Sequence, residues 1–177
     1  MENNNEFLPS DYQPPKGESR YMKFQSGTNK FRILSRPIIG WEDWEDKKPL
    51  RFKMKEKPEK PIDPKYPIKH FWAMIVWNYQ TEHIEILEIT QVTIMQSIVA
   101  LTKDPEWGSP FHYNIKVEKQ GEKLETKYSV LASPPSDLTN EIKEAYKTTP
   151  VNLEALYEGE DPFDTELPNV DLNDLPF

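Results

Sequence analysis

From Tyr21 onward, apolar residues recur at alternate positions in short runs bounded by turn residues, the spacing of strands. YMKF, the turn-like SGTN and KFRILSRP predict a hairpin whose second strand carries Phe31 and Ile33 on one face and Arg32, Leu34 and Arg36 on the other. Pro37 demotes the end of that strand to an edge or a bend. A second apolar segment, IIGW, runs into EDWED, which brings Trp41 and Trp44 near acids and a polar turn. HFWAMIVWNYQ, residues 70–80, is apolar on both parities, as in a central strand covered on both sides or a strand offering rings to a ligand. TEHIEILEI pairs with it as a hairpin, and its change of apolar parity at Leu87 predicts a bulge or sharp bend.

One segment has the helical period instead. TQVTIMQSIVALTK opens on Thr90 as cap and gathers Val92, Ile94, Met95, Ile98, Val99 and Leu101 on an apolar face, with Pro105 beyond its end. FHYNIKVEKQGEKLETKYSVLAS then predicts a hairpin turning near Gly121, with Tyr113, Ile115, Val117, Tyr128 and Val130 inward, and LTNEIKEAYKTT a short closing helix. Five or six strands with one helix between two hairpins place the chain in the mainly-β class. That order fits the oligonucleotide-binding (OB) fold, a five-stranded Greek-key barrel. A β-sandwich fits the same pattern, and strand order cannot be read from it.

Composition changes the picture at the two ends and in one loop. Residues 1–20, rich in Asn, Pro and Ser, are expected to form a flexible arm ahead of a body spanning 21–150. Residues 47–69 hold nine Lys or Arg against three acids, with five prolines, and are expected to form a basic, extended loop. Net charge is −8, yet residues 151–177 carry eight acids and no Lys or Arg, so the whole excess lies there and residues 1–150 balance. A one-sign block of this kind is expected to stay disordered and solvated, as an interaction tail. There is no cysteine, which excludes disulfides and thiolate metal sites. Neither a signal peptide nor an apolar run of membrane-spanning length is evident, so the expected compartment is cytoplasmic.

The chemistry points away from catalysis. No Gly-rich phosphate loop, nucleophile elbow or zinc-binding His pair occurs, and His70, His83 and His112 fall in or beside three different strands. No enzyme activity, metal or cofactor is expected. What the sequence does concentrate is cations interleaved with rings: Arg32, Arg36, Trp41, Trp44, Lys47, Lys48, Arg51, Phe52, Lys53, Lys55, Lys57, Lys69 and Trp72. Single-stranded nucleic acid is held by such a pairing, cations along its phosphates and flat side chains under its bases. Trp77, Phe71 and Tyr113 are expected in the core, because inward alternation explains them; Trp41, Trp44, Phe52 and Trp72 are the rings expected at the surface.

KFRILSRPIIGWEDW, KHFWAMIVWNY, EILEITQ, DPEWGSPFHYNI and YSVLASPP, within residues 20–135, resemble the single-stranded DNA-binding proteins of tailed bacteriophages. The resemblance implies an OB-fold that protects single strands during replication, recombination or repair, with the basic and aromatic positions above lining the DNA groove. Some of those relatives carry a cysteine-rich zinc element, which this chain cannot form. The last residues separately resemble the acidic tails of bacterial single-stranded DNA-binding proteins, which end Asp-Ile-Pro-Phe; here Asp174, Leu175, Pro176 and Phe177 match, preceded by Asp171. In that family the terminal ring enters an apolar pocket on a replication or repair partner while its carboxylate meets a basic residue. Such a tail, tethered beside a basic groove, would also compete with DNA phosphates at low salt. The alternative from a different class is an acidic adaptor or DNA mimic that binds a host protein and not DNA; its support is the neutral body, since most nucleic-acid modules are basic. RNA is a further candidate ligand, because stacking does not distinguish the sugars.

Overall fold

The computed structural model describes residue 7 and residues 20–175. Its strands are β1 (Tyr21–Met22), β2 (Gly27–Ile33), β3 (Ile38–Glu45), β4 (Lys48–Lys53), β5 (Lys69–Asn78), β6 (His83–Ile89), β7 (Asn114–Gln120) and β8 (Lys127–Ala132). Two α-helices, α1 (Val92–Lys103) and α2 (Asn140–Thr148), follow β6 and β8 respectively. The strands form one mixed sheet in the order β1-β6-β5-β2-β7-β8, with β3 paired to β5 and β4 to β3. The protein is therefore mainly β. The sheet is open: among the described residues β6 and β8 do not pair, and β6 instead takes β1 in parallel along its outer edge.

β5 is the axis of the sheet because both of its faces are apolar. β2 and β3 run antiparallel to it as one bent strand: Ile33 lies opposite Val76 and Ile38 opposite Ala73, so residues 34–37 face only Met74 and Ile75. Pro37 cannot donate to the ladder, and the chain bulges there. Leu34 N–H still reaches the Ile75 carbonyl at 2.9 Å, and Ile75 N–H donates to Ser35 Oγ at 2.8 Å, which keeps the two halves on one partner.

The first face of the sheet packs under α1. Phe31, Ile33, Met74, Val76, Leu87, Ile89, Ile115 and Val117 meet Ile94, Met95 and Ile98 there, with Tyr128 and Val130 at the margin. The second face is covered by α2 and by residues 151–175. Leu34, Ile75, Trp77 and Ile84 pack on Ile142 and Tyr146, while Phe71, Ala73 and Ile86 pack on Leu156. Thr139 caps α2, its Oγ1 accepting from Ile142 N–H. No helix of the described residues is long and apolar enough to cross a membrane.

Several local expectations are corrected. Tyr21–Met22 pairs with Ile86 and Leu87, not with the strand that follows it; the turn between is closed by Asn29, whose side chain binds both the N–H and the carbonyl of Gln25. β6 has no bulge. Its register with β5 is unbroken from Asn78–His83 to Trp72–Ile89, and the apparent change of parity arises because both faces of β6 are buried. Thr90 does not cap α1: Gln91 holds that position without a side-chain cap, and Val92 and Val99 face solvent. The first part of the expected loop, Lys48–Lys53, is a strand. Pro49 is tolerated because β4 is an edge.

The largest departure concerns the acidic segment. Residues 151–175 do not lie free as an extended string; they wrap the second face in two 3₁₀ turns, Leu153–Glu158 and Leu172–Asp174. Ala155, Leu156, Pro162 and Leu175 are buried, and all eight acids point outward. Asn169 fastens the segment, its Oδ1 accepting from Val151 N–H and its Nδ2 donating to the carbonyls of Tyr146 and Thr149. The Tyr146 hydroxyl donates to the Val170 carbonyl nearby. Apart from Phe7 and Arg20, the expected N-terminal arm lies outside the described residues, as do Pro176 and Phe177.

Candidate nucleic-acid interface

β3 and β4 form an arm that projects the first face of the sheet beyond α1. They turn through Asp46 and Lys47, both with positive φ (49° and 65°), the geometry of a tight two-residue hairpin loop. Alternation along three neighbouring strands then decides which side chains meet. Phe52 on β4 is opposite Trp41 on β3, and Trp41 is opposite His70 on β5. These three rings form one row, and Ile39 with Trp72 forms the next row beside it.

The row is held from several sides. Trp41 and His70 have centroids 5.1 Å apart at 54°, the Lys57 ammonium lies 4.2 Å above the Trp41 ring, and Trp41 Nε1–H donates to the Met54 carbonyl at 3.2 Å. His70 Nδ1 is 2.7 Å from the Gly40 carbonyl. A carbonyl only accepts, so Nδ1 carries the proton. The rings are half-buried, and Ile39 is 42% exposed beside them. Three part-exposed rings under a cation constitute a surface on which planar groups can stack.

The opposite parity leads to the other face and to a different chemistry. Arg51, opposite Glu42, donates to Glu88 Oε2 through Nε at 2.8 Å and reaches the same oxygen through a terminal nitrogen at 2.6 Å; its Nε is 3.5 Å from Glu42 Oε2. Glu42 is buried, and its pKa is raised to about 8, chiefly by loss of water, then by its hydrogen bond to Glu88 and by that group's charge, against the pull of Arg51 and Lys69. Arg51 is therefore consumed inside the protein. Lys53 sits over the Tyr157 ring at 5.7 Å, held by the acidic segment, and Lys69 lies opposite Glu42.

Trp44 also falls on this second parity. It lines an open cleft of about 750 Å³ with Ile62, Pro64 and Tyr66, where Glu45, Asp46 and Asp63 outnumber Lys47. Asp43 builds the cleft by accepting from Trp44 N–H and Ile62 N–H. Three carboxylates around one lysine oppose a phosphate, so Trp44 and Lys47 do not extend the Trp41 row.

The expected set thus divides. Trp41, Phe52 and Trp72 share one face, with Lys48 on the same parity at the base of the turn and Lys55 and Lys57 in the segment that folds over it. Arg36 is exposed at the bulge. Arg32 is buried and its guanidinium is fully occupied: it donates to the Phe111 carbonyl, Asn114 Oδ1, and the hydroxyl and carbonyl of Ser136. It is a structural residue that ties β2 to the segments around β7. His70, to which the sequence reading gave no role, is a member of the row; its two-residue spacing from Trp72 was the available signal. Among the described residues no three His, Asp or Glu side chains form a metal-binding group.

In the acidic segment, Leu175 is buried against the body, Asp174 N–H is bonded to the Asp171 carbonyl, and the Asp171 side chain accepts from Asn173 N–H. Leu175 is thus already engaged within the chain. No protein-family model, curated protein or solved structure matches this chain.

Proposed function

We propose that this protein binds single-stranded DNA without sequence preference, of the kind found in tailed-phage replication and recombination, and that the row Phe52–Trp41–His70 is where bases stack. The observation that carries the reading is that row, with Lys57 over its central ring. Each base stacked on an aromatic side chain is worth about 1–3 kcal/mol and asks for no particular base. Lys48, Lys55 and Lys57 supply the cations for the phosphates. The strand pairing is in keeping with an open relative of the OB-fold: β2, β5 and β6 form a meander, and β7 returns after α1 to lie beside β2, the Greek-key order. On this reading the β3–β4 arm is an insertion between the first two strands, a position from which OB-folds bind their ligands.

Residues 151–175 pack on the second face and leave the Trp41 row uncovered, so the acidic segment acts on binding only at a distance or through a partner protein. One observation favours the alternative reading, an acidic adaptor or DNA mimic: the eight carboxylates are displayed on an ordered segment rather than a loose one. A single titration separates the two. A fluorescent 30-mer single strand and its duplex are added at two salt concentrations to the protein and to Trp41→Ala. The expected result is salt-weakened binding of the single strand in preference to the duplex, with Trp41→Ala weaker by about tenfold or more, the equivalent of one lost stack. Absence of single-strand binding would transfer the proposal to the adaptor, and an unchanged Trp41→Ala would remove the row from the site.

A further inference from the structure

A second row crosses the sheet beside the part that α2 covers, with Tyr79 packed against the margin of that cluster. Tyr79, just past the end of β5, donates its N–H to the Lys30 carbonyl at 3.1 Å; Lys30 on β2 is opposite Lys116 on β7; and Lys116 is opposite Leu131 on β8. The four side chains therefore stand side by side across four strands, a ring, two cations and an apolar group. The Lys30 ammonium lies 4.3 Å over the Tyr79 ring, and that ring is fixed by its hydroxyl, which donates to Asn114 Oδ1 at 2.9 Å. Leu131 is 52% exposed at the other end.

The two lysines are the informative members. Directly opposed residues on neighbouring strands have Cβ atoms about 4.5–5.5 Å apart, and like charges at that separation destabilise the sheet. Both lysines are half-buried along their length. Neither forms an ion pair among the described residues, and the adjacent cross-strand pair, Thr28 with Glu118, is joined to itself by a 3.4 Å hydrogen bond. An anion lying between the two ammonium groups would turn this repulsion into attraction.

We infer that Lys30 and Lys116 form a second contact for the phosphodiester backbone of a bound single strand, flanked by Tyr79 as a further ring. The inference rests on the nucleic-acid reading above and deepens it, since it extends the contact beyond the Trp41 row to the other face of the sheet. The strand separations explain why the sequence conceals it: residues 30, 79, 116 and 131 are brought together only by β-pairing.

The test compares four proteins on a 30-mer oligo-dT across a salt series: the unaltered chain, Trp41→Ala, the double variant Lys30→Ala/Lys116→Ala, and a control pair of α2 lysines, Lys143→Ala/Lys147→Ala. Loss of two phosphate contacts should flatten the plot of log affinity against log salt by about 1.4, at about 0.7 for each phosphate on a single strand. Affinity at low salt should fall by roughly tenfold, while the control pair changes neither. The double variant should melt close to the unaltered chain, because the repulsion it removes offsets the lost Lys30–Tyr79 contact. An abasic strand of equal length should show the same lysine-dependent slope, and inorganic phosphate at matched concentration should fail to compete, which assigns the site to a polymer backbone. If the double variant keeps the full slope while Trp41→Ala loses binding, the lysine contact is overturned and the first row stands. If the unaltered chain binds no single strand, both fall together.

Discussion

The basic stretch 47–69 and the acidic stretch 151–175 have comparable lengths and opposite signs, and both carry the composition of segments that avoid a fold. They are ordered for the same reason. In the basic stretch, Leu50 and Phe52 alternate with polar residues, so Lys48–Lys53 joins the sheet as an edge strand and only the remainder runs irregularly. In the acidic stretch the apolar residues have no period at all, yet Leu156, Pro162 and Leu175 are buried and Leu153, Tyr157, Phe163 and Leu172 pack at the edges of the core. Charge reports which side chains face water. Whether a segment is held depends on where its few apolar groups land, and hydrogen bonds such as those of Asn169 complete the attachment.

The acidic stretch is held most firmly at Leu156. It is 3% exposed and meets Phe71, Ala73 and Ile86, the centre of the second face. Truncating such a leucine removes its transfer free energy and leaves a cavity, so Leu156→Ala should cost about 2–4 kcal/mol in urea or thermal unfolding. Lys57→Ala, the matching change in the basic stretch, removes only an exposed cation–π contact of about 0.5–1 kcal/mol. Should Leu156→Ala unfold at the same midpoint as the unaltered chain, the acidic segment is a solvated tail after all.

How much of this was legible depends on the residue. The apolar parities of 31–34, 71–77 and 113–117 placed Phe31, Ile33, Phe71, Trp77, Tyr113, Ile115 and Val117 in the interior, where they lie, because alternation is a local property. Arg32 was misread because its parity is shared with exposed positions of the same strand; only the fold brings Phe111 and Ser136 to its guanidinium. Trp41 and Trp44 looked like one cluster by proximity, although three residues of separation in a strand puts them on opposite faces. The partner of β1 was invisible for another reason. A parallel pairing over residues 65 apart leaves no turn signal between the strands.

The basic arm has its own weak point at Gly40. A Cβ there would lie 2.0 Å from the Phe52 carbonyl oxygen and 3.1 Å from the Phe71 ring, so β3 and β4 approach each other only because the residue is glycine. Gly40→Ala should force the hairpin apart, cost about 1–3 kcal/mol as overpacking does, and displace Phe52 from its place beside Trp41. A larger fall in single-strand affinity than in stability would locate the disturbance in the row. A Gly40→Ala protein with unaltered melting and binding would show that the arm is not held as closely as its strand pairing requires.

A smaller effect lies on the second face of the arm, where Glu42 on β3 meets Arg51 on β4 and Glu88 on β6. An unfolded glutamate releases its proton near 4.5, whereas in the folded protein Glu42 holds it to about 8. Between those values the native state binds more protons than the unfolded state, so the group's contribution to stability is complete below pH 4.5 and is lost as pH rises through 8. The slope for one proton is at most about 1.4 kcal/mol per pH unit. Because Arg51 and Lys69 favour the charged form of Glu42, a loss of about 1 kcal/mol between pH 6 and 8 is expected. Glu42→Gln keeps the shape without the titration, so its stability should stay level over that interval while the unaltered chain declines. Urea unfolding at pH 5, 6.5 and 8 measures both. Parallel curves would mean that Glu42 is ionised throughout, with Arg51 as its full counterion.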